Sequence, residues 1–388
     1  MAFWQLAERG SFGVITSDIF LELRVFISSD TESIHILGAP SVTRLYFSSP
    51  SQPYYLLLLK SHLLYGRCVT FARDNLIFAC YLINPYVLLS SLGLSTSSLE
   101  NMFVLLVVLF SSHGLKSVTL LLMAVLTHIS PSYNIILPSI AMLSLLGPNS
   151  RLADPYKPNI RRLSLVLSLG QFMTYFILLT VASSLASGNW SWISQTWGAS
   201  FLLPDLTPNP GLWWYYFTEM FDHFRPFFLM VFSVHLLIYT LPFCIKFQYD
   251  PLYATFCLLG ILGIFKPYPT LADAGLFTSM IAIFPEIYSY FRHPLVTTIL
   301  HLHASLLMPL FHNLWLQQGT GNANFFYAST LVFACANGAA VIDCVWAGIT
   351  SKTTVDYCLL PPASGLTSHC HSFPVIVIPN VLTRTNTK

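Results

Sequence analysis

The sequence predicts an all-α, polytopic membrane helix bundle with short and broken helices, and three observations carry that expectation. Charged residues are 9% of the 388 residues and hydrophobic ones 54%, whereas soluble domains are about a quarter charged. Mean hydropathy is +0.64. Apolar runs bounded by polar breaks recur near 76–91, 101–113, 115–129, 131–147, 163–186, 226–245, 252–265, 271–291, 295–318 and 325–348, which makes about ten candidate spans.

A helix needs about 20 residues to cross the hydrocarbon of a bilayer, so the runs between 101 and 129 are too short to do so alone. They read as half-helices or broken helices held inside a bundle. Asn84-Pro85 interrupts the first run, because proline lacks an N–H and clashes with the preceding turn. The chain divides into an anomalous N-terminal segment at 1–75, a multi-span membrane domain at 76–350 and a C-terminal tail at 351–388, rich in Pro, Ser and Thr and expected to be disordered. The first thirty residues lack a basic start followed by a continuous apolar core, so no cleavable signal peptide is expected.

The formal net charge of +2 comes without a Lys/Arg cluster, which excludes nucleic acid as a partner. Eight cysteines are scattered with no CxxC pair, several inside apolar runs (Cys80, Cys257, Cys335), so neither a disulfide framework nor a metal site is expected. Cys370 lies between His369 and His371, but in the tail, and a metal site there is not expected. Gly-x-Ser-x-Gly, phosphate-cradling glycine loops and zinc-protease motifs are all absent, and no cofactor or catalytic residue is expected.

Basic residues set the topology. Arg151, Lys157, Arg161 and Arg162 share one loop, Lys246 lies in another and Arg292 with His293 in a third, while Arg67, Arg73 and Lys116 fall on the same side by alternation. The positive-inside rule makes that side cytosolic. The opposite, lumenal side then receives Gly93–Asn101, His128–Asn134, Gly188–Arg225, Lys266–Asp273 and Gly319–Asn324, which hold most of the unusual polar and aromatic residues. The sequon Asn189-Trp190-Ser191 sits there too, as glycosylation at Asn189 would require.

Three lumenal stretches could carry a function. Gly319 to Tyr327 joins Asn322 and Asn324 to Phe325, Phe326 and Tyr327, either a surface for a polar lipid head at headgroup depth or a short loop with an aromatic belt. In the second stretch, Asp205 lies among prolines before Trp213 and Trp214, and Glu219, Asp222 and His223 follow at helical spacing. That trio reads either as an acid–base set or, preferably, as the polar face of an interfacial helix. The third stretch places Lys266, Tyr268 and Asp273 at a proline-broken helix end. Ionisable groups at membrane depth mark functional sites, and a lysine paired to Asp273 to fix the loop is the equal alternative. His301, His303 and His312 share one helix, but a spacing of two puts the first pair on different faces.

Taken together, Tyr81-Leu-Ile-Asn-Pro-Tyr86, Pro204-Asp-Leu-Thr-Pro-Asn209, Gly211-Leu-Trp-Trp-Tyr215, Glu219-Met-Phe-Asp222, Lys266-Pro-Tyr-Pro269 with Asp273-Ala-Gly275, and Gly321-Asn-Ala-Asn-Phe-Phe-Tyr-Ala328 resemble the U subunit family of glycosylphosphatidylinositol (GPI) transamidase. The resemblance covers roughly 76–348. It implies a membrane core similar to that of the glycosyltransferase C class, put to binding rather than sugar transfer, in an endoplasmic reticulum complex that replaces a C-terminal signal with a GPI lipid. The implied partners are membrane lipids, the GPI glycolipid, the caspase-like catalytic subunit and the T, S and GPAA subunits. Asn322, Asn324, Phe325, Phe326, Tyr327, Lys266, Tyr268 and Asp273 are the expected glycolipid contacts, and Asn84, Pro85, Asp205, Trp213, Trp214, Glu219, Asp222 and His223 the expected lumenal framework.

The departures lie at the ends: residues 1–75 lack a clean first helix, with Pro53–Tyr65 as the remnant of a second span, which points to a wrong exon boundary or a divergent form. A GPI mannosyltransferase of the same membrane class is the alternative. It would need an acidic pair in its first lumenal loop, where this chain offers Asp18, Glu22, Asp30 and Glu32 without adjacent pairing. A transporter would show an internal repeat, and none is found.

This topology makes a direct prediction. A cysteine placed at Asn209 will resist an impermeant thiol reagent in intact microsomes and react after permeabilisation; reaction before permeabilisation would invert the assignment.

Overall fold

The structure is a computed structural model in which residues 71–147, 152 and 161–359 are described, with the side chains of 71–75, 233 and 352–359 left aside. The expectations for most of 1–75, for Pro53–Tyr65, for Asp18 to Glu32 and for Cys370 lie outside the described residues. Among the described residues the fold is all-α: α1 Phe71–Leu82, α2 Pro85–Leu92, α3 Ser97–Ser112, α4 Lys116–Ile129, α5 Leu137–Leu146, α6 Arg162–Ser187, α7 Trp192–Leu202, α8 Trp213–Thr218, α9 Arg225–Lys246, α10 Pro251–Phe265, α11 Leu271–Met280, α12 Pro294–Leu316 and α13 Ala323–Leu359.

Among the described residues four helices are long and apolar enough to cross a membrane: α6, α9, α12 and α13 as far as Ser351. The remaining apolar runs form helices of 10–17 residues, and 14 to 16 residues extend only roughly 21–24 Å. Of these, α3, α5, α10 and α11 are largely buried, as expected, whereas α4 leaves Val118, Leu121 and Ile129 exposed; among the described residues four helices, not ten, are long enough for a full crossing. The apolar windows of α6 and α12 are only 11% buried. Their outward leucines, isoleucines and valines match hydrocarbon rather than water, and the chain is a multi-pass membrane protein.

At the centre lies α10, which packs on α5, α9, α11 and α13. Every residue from Pro251 to Ile264 is buried, the behaviour of a helix that is apolar all round. Its start is set by Asp250, whose carboxylate accepts from the Tyr253 N–H at 3.1 Å, and by Pro251 in the first turn. Tyr253 then donates its hydroxyl to the Cys344 carbonyl at 2.5 Å, joining α10 to α13.

The Asn84-Pro85 break is held in place by a neighbouring helix. Asn84 Oδ1 accepts from the Tyr86 N–H at 3.0 Å and restarts α2. Its Nδ2 donates to the Gly275 carbonyl at 3.1 Å and to Ser279 Oγ at 2.9 Å, both on α11. A Cβ on Gly275 would lie 2.8 Å from Val87 Cγ2 and 3.1 Å from the Val87 backbone nitrogen, so this approach needs glycine.

Two features depart from the sequence reading. The run at 271–291 does not continue as one helix: α11 ends at Met280, and short 3-10 turns follow at Ile281–Ile283 and Pro285–Tyr290. Pro285 forces Phe284 out of the helical region, to φ −116° and ψ 66°. At the C-terminal end α13 runs to Leu359, so the start of the expected disordered tail is helical. Residues 360–388 lie outside the described residues.

The hairpin of α12 and α13 is closed at both ends. At its turn the N–H groups of Thr320 and Gly321 donate to the Leu314 carbonyl at 3.1 and 2.9 Å, and a Cβ on Gly321 would lie 2.8 Å from the Trp315 nitrogen. Asp343 lies 20 residues into α13, roughly 30 Å along its axis. There its carboxylate accepts from the Arg292 N–H at 2.7 Å and the His293 N–H at 3.2 Å, just before α12 begins. These two sites therefore lie at opposite ends of the hairpin.

Replacing Gly275 with Val will destabilise the bundle by about 1–3 kcal/mol, the usual cost of overpacking, read as a lower thermal midpoint of the detergent-solubilised chain. A Gly275→Val midpoint equal to the wild type would show that α2 and α11 can part without penalty.

Candidate glycolipid-facing end of the bundle

All five loops placed together by topology are joined at one end of the bundle. Trp197 Nε1 donates to the His128 carbonyl at 3.0 Å, and Tyr268 donates its hydroxyl to the Asp205 carbonyl at 3.0 Å. The Tyr327 hydroxyl donates to the Leu212 carbonyl at 2.9 Å, and the Tyr215 hydroxyl donates to Asn324 Oδ1. Beneath them Lys266 binds Glu100, which belongs to the Gly93–Asn101 stretch and stands in the first turn of α3.

That last contact is the buried electrostatic centre. Lys266 forms ion pairs with Glu100 and, at 3.1 Å, with Asp273, and the three side chains are only 7%, 12% and 3% exposed. Tyr133 donates its hydroxyl to Asp273 Oδ1 at 3.2 Å, and its ring lies 5.0 Å from the ammonium. Asp273 Oδ2 accepts from the Thr270 N–H at 2.7 Å and closes a capping box at the start of α11. Burial would depress the Lys266 pKa, but Asp273 and Glu100 outweigh it and hold the ammonium above the ordinary lysine range. Lys266 and Asp273 thus meet each other, not an open surface, and Lys266 carries no charge free for an anionic head.

Above this centre sits α8, a wedge between two apolar clusters. Trp214 turns toward Trp315, Phe326 and Tyr327, with ring centroids 5.8–6.2 Å away. Trp213 and Phe217 turn toward Phe232, whose ring lies 4.0 Å from that of Trp213. The indole N–H groups of both tryptophans are buried without an acceptor among the described residues, so packing rather than hydrogen bonding fixes them.

Several expected site residues are placed differently from the sequence reading. Glu219, Asp222 and His223 do not share a helix face: α8 stops at Thr218, α9 starts at Arg225 with Pro226 in its first turn, and the trio lies exposed between them. The His223 ring contacts Phe221 and Phe224 rather than a carboxylate, and no metal-holding group exists among the described residues. Phe326 is a 6% exposed core residue instead of part of a shelf, while Phe325 is 57% exposed. Asn189 is exposed, and its Oδ1 accepts from Ser191 in a local turn.

What faces outward is a hollow of about 410 Å³, lined by Tyr215, Tyr216, Tyr327, Phe224 and Phe228 with Glu219 as its carboxylate. Asn324 stands at its rim through the Tyr215 hydroxyl. Asn322 Oδ1 accepts from the Asn324 N–H at 2.8 Å at the start of α13. Both asparagines are exposed, and their amide NH₂ groups make no hydrogen bond among the described residues. Phenols and amide donors suit the hydroxyls and phosphates of a sugar head, and the carboxylate suits a hydroxyl or an amine; among the described residues these groups do not include a nucleophile with a base and oxyanion donors.

The sequence reading missed Glu100, Tyr133 and Tyr86, whose hydroxyl lies 2.6 Å from Ser305 Oγ on α12. A signal existed for the first: Glu100 is the only acidic residue between Asp74 and Asp154, at the edge of an apolar run.

Residues 46–333 match the family of the GPI transamidase subunit PIG-U. The chain belongs to that family. It is 36% identical over 267 residues to the GPI transamidase component GAB1 of Saccharomyces cerevisiae, covering 69% of this chain and 65% of that protein. Identity to the GPI-anchor transamidase component PIGU of Homo sapiens is 33% over 256 residues, 65% of this chain and 58% of that one. The GAB1 homolog of Schizosaccharomyces pombe is 32% identical over 313 residues, 79% and 74% of the two chains. The chain thus spans less than two thirds of the length of the budding-yeast and human relatives.

Lys266→Ala will leave two carboxylates facing each other out of water and cost about 3–5 kcal/mol. Glu100→Gln, which keeps the Lys266–Asp273 pair, will cost less. Thermal midpoints of the solubilised variants check both, and equal midpoints for the two would remove the ion triad from its central place.

Proposed function

We propose that this chain is a non-catalytic subunit of GPI transamidase in the endoplasmic reticulum membrane, holding the GPI glycolipid while another subunit carries out the transfer. Membership of the PIG-U family supports the complex. The observation that carries the binding role is the pair of unengaged amide donors of Asn322 and Asn324 beside the aromatic hollow of Tyr215 and Tyr327. Lipid tails would lie along the outward apolar faces, with the glycan and phosphate head at Asn322, Asn324, Phe325 and Tyr327. Lys266, Tyr268 and Asp273 support that surface from below. Holding the amine of the lipid near an acyl-enzyme on the caspase-like subunit is catalysis by proximity, and the T, S and GPAA subunits complete the assembly.

The rival mannosyltransferase reading has no observation in its favour among the described residues. Cells lacking the subunit should accumulate unprocessed precursor proteins and free GPI lipid, whereas an under-mannosylated lipid would point to the rival.

Asn322→Lys or Asn324→Lys will lower GPI attachment by about tenfold, the effect of losing one good hydrogen bond in a confined site, while the subunit stays in its complex. Because Asn322 also caps α13, Asn322→Ser, which keeps a capping oxygen, separates the two roles. A surface reporter for anchor attachment and co-purification of the complex are measured together. Loss of the subunit from the complex would return both asparagines to a purely structural role.

A further inference from the structure

The side of α12 turned away from α13 carries a regular stripe. Val296, Ile299, His303, Leu306 and Leu310 follow one another at spacings of 3, 4, 3 and 4 residues, and all five are exposed. Asn313, three residues further on, is exposed too. Ala304 and Met308 lie on the opposite side of the helix, buried in the cluster that holds Phe326 and Phe333 of α13. Alternating spacings of 3 and 4 are those of a left-handed helix pair, in water and in membranes alike.

His303 is what lipid does not explain. It is the tenth residue of a 23-residue helix long enough to cross the membrane, so it stands roughly 14 Å from the helix start, near mid-depth. Its Nδ1 lies 2.8 Å from the Ile299 carbonyl and so carries the ring proton. Nε2 is then an acceptor, and it makes no hydrogen bond among the described residues. Hydrocarbon offers no donor, and an unpaired polar atom there is costly. The contrast is α6, whose apolar window is just as little buried. Its outward Thr174 hydroxyl turns back on the Gly170 carbonyl at 3.0 Å, and Gln171 donates to Ser117 Oγ and to the Tyr175 hydroxyl, both at 3.0 Å.

We propose that this stripe docks one membrane-spanning helix from another component of the assembly, and that this helix presents a hydroxyl or carboxamide donor to His303 Nε2. The apolar members supply the packing, and the single polar residue among them fixes which turn of the partner sits opposite. A second copy of this chain, paired stripe to stripe across a two-fold axis, would instead set one acceptor against another. The docking rests on the reading of this chain as one subunit of an assembly and is independent of the glycolipid surface at Asn322 and Asn324.

The test places the photoreactive residue benzoylphenylalanine at single positions along α12 of the full chain in microsomal membranes and maps the adducts by peptide mass spectrometry. Positions 296, 299, 303, 306 and 310 should react with a membrane-spanning segment of one other component, whereas Thr298 and Leu302, exposed beside the stripe, should yield lipid adducts. His303→Leu should lower co-purification of that component about threefold, the effect of one interhelical hydrogen bond in a membrane. His303→Gln, which keeps an outward acceptor, should restore it. Because His303 bonds only to its own helix among the described residues, the thermal midpoint of the solubilised chain alone should not fall in His303→Leu, which separates docking from folding. Lipid adducts at every position, adducts to a second copy of this chain, or co-purification undiminished in His303→Leu would overturn the proposal. Absence of any other component from the wild-type preparation would overturn the subunit reading itself, and the docking with it.

Discussion

Lys266 can sit out of water only because two carboxylates from distant segments meet it, and that requirement organises one end of the bundle. Glu100 stands in the first turn of α3 and Asp273 in that of α11, while Tyr133 reaches in from the turn before α5. None of these groups is stable there alone, since an unpaired buried charge costs several kcal/mol. The ends of α3, α10 and α11 are thereby fixed to one point. Pro269, three residues beyond Lys266, is placed directly beneath Gly211, and so the charge centre also locates the approach to α8.

From that base the aromatic residues do the remaining positioning. Successive tryptophans on α8 point into different clusters, one shared with α12 and α13 and the other with α9. The surface bearing Asn324 and Tyr327 is thus tied to α9 as well as to its own hairpin. A site at such a junction has its shape set by three helices at once, which suits recognition of a large head better than a loop could.

Most of this architecture was legible because membrane helices must satisfy their own backbone hydrogen bonds, which leaves long apolar runs and abrupt polar breaks in the sequence. The Asn84-Pro85 interruption and the two-faced placement of His301 and His303 could be read from residue type and spacing, while for Lys266 and Asp273 the spacing left mutual pairing and lipid contact equally open. Glu100 could not be matched to Lys266, since 166 residues separate them and charge pairing has no periodicity. Helix α7 was hidden inside what read as a loop, although its Trp192 and Trp197 both rest on His128. Glu219, Asp222 and His223 misled because their spacing is helical while Pro226 ends the possibility of a continuous helix. Phe326 was indistinguishable from its exposed neighbour Phe325 until the helix phase was known.

The hairpin of α12 and α13 has lost the freedom to slide. Its turn is locked by the Leu314 carbonyl, and its far end by Asp343 gripping the backbone before α12. Two rods fastened together at both ends behave as a plate: they can tilt or rotate, but one cannot advance past the other. A shift of Asn322 and Tyr327 at one end of the hairpin therefore has to turn the pair as a unit, because neither helix can advance past the other without breaking the bonds at its ends.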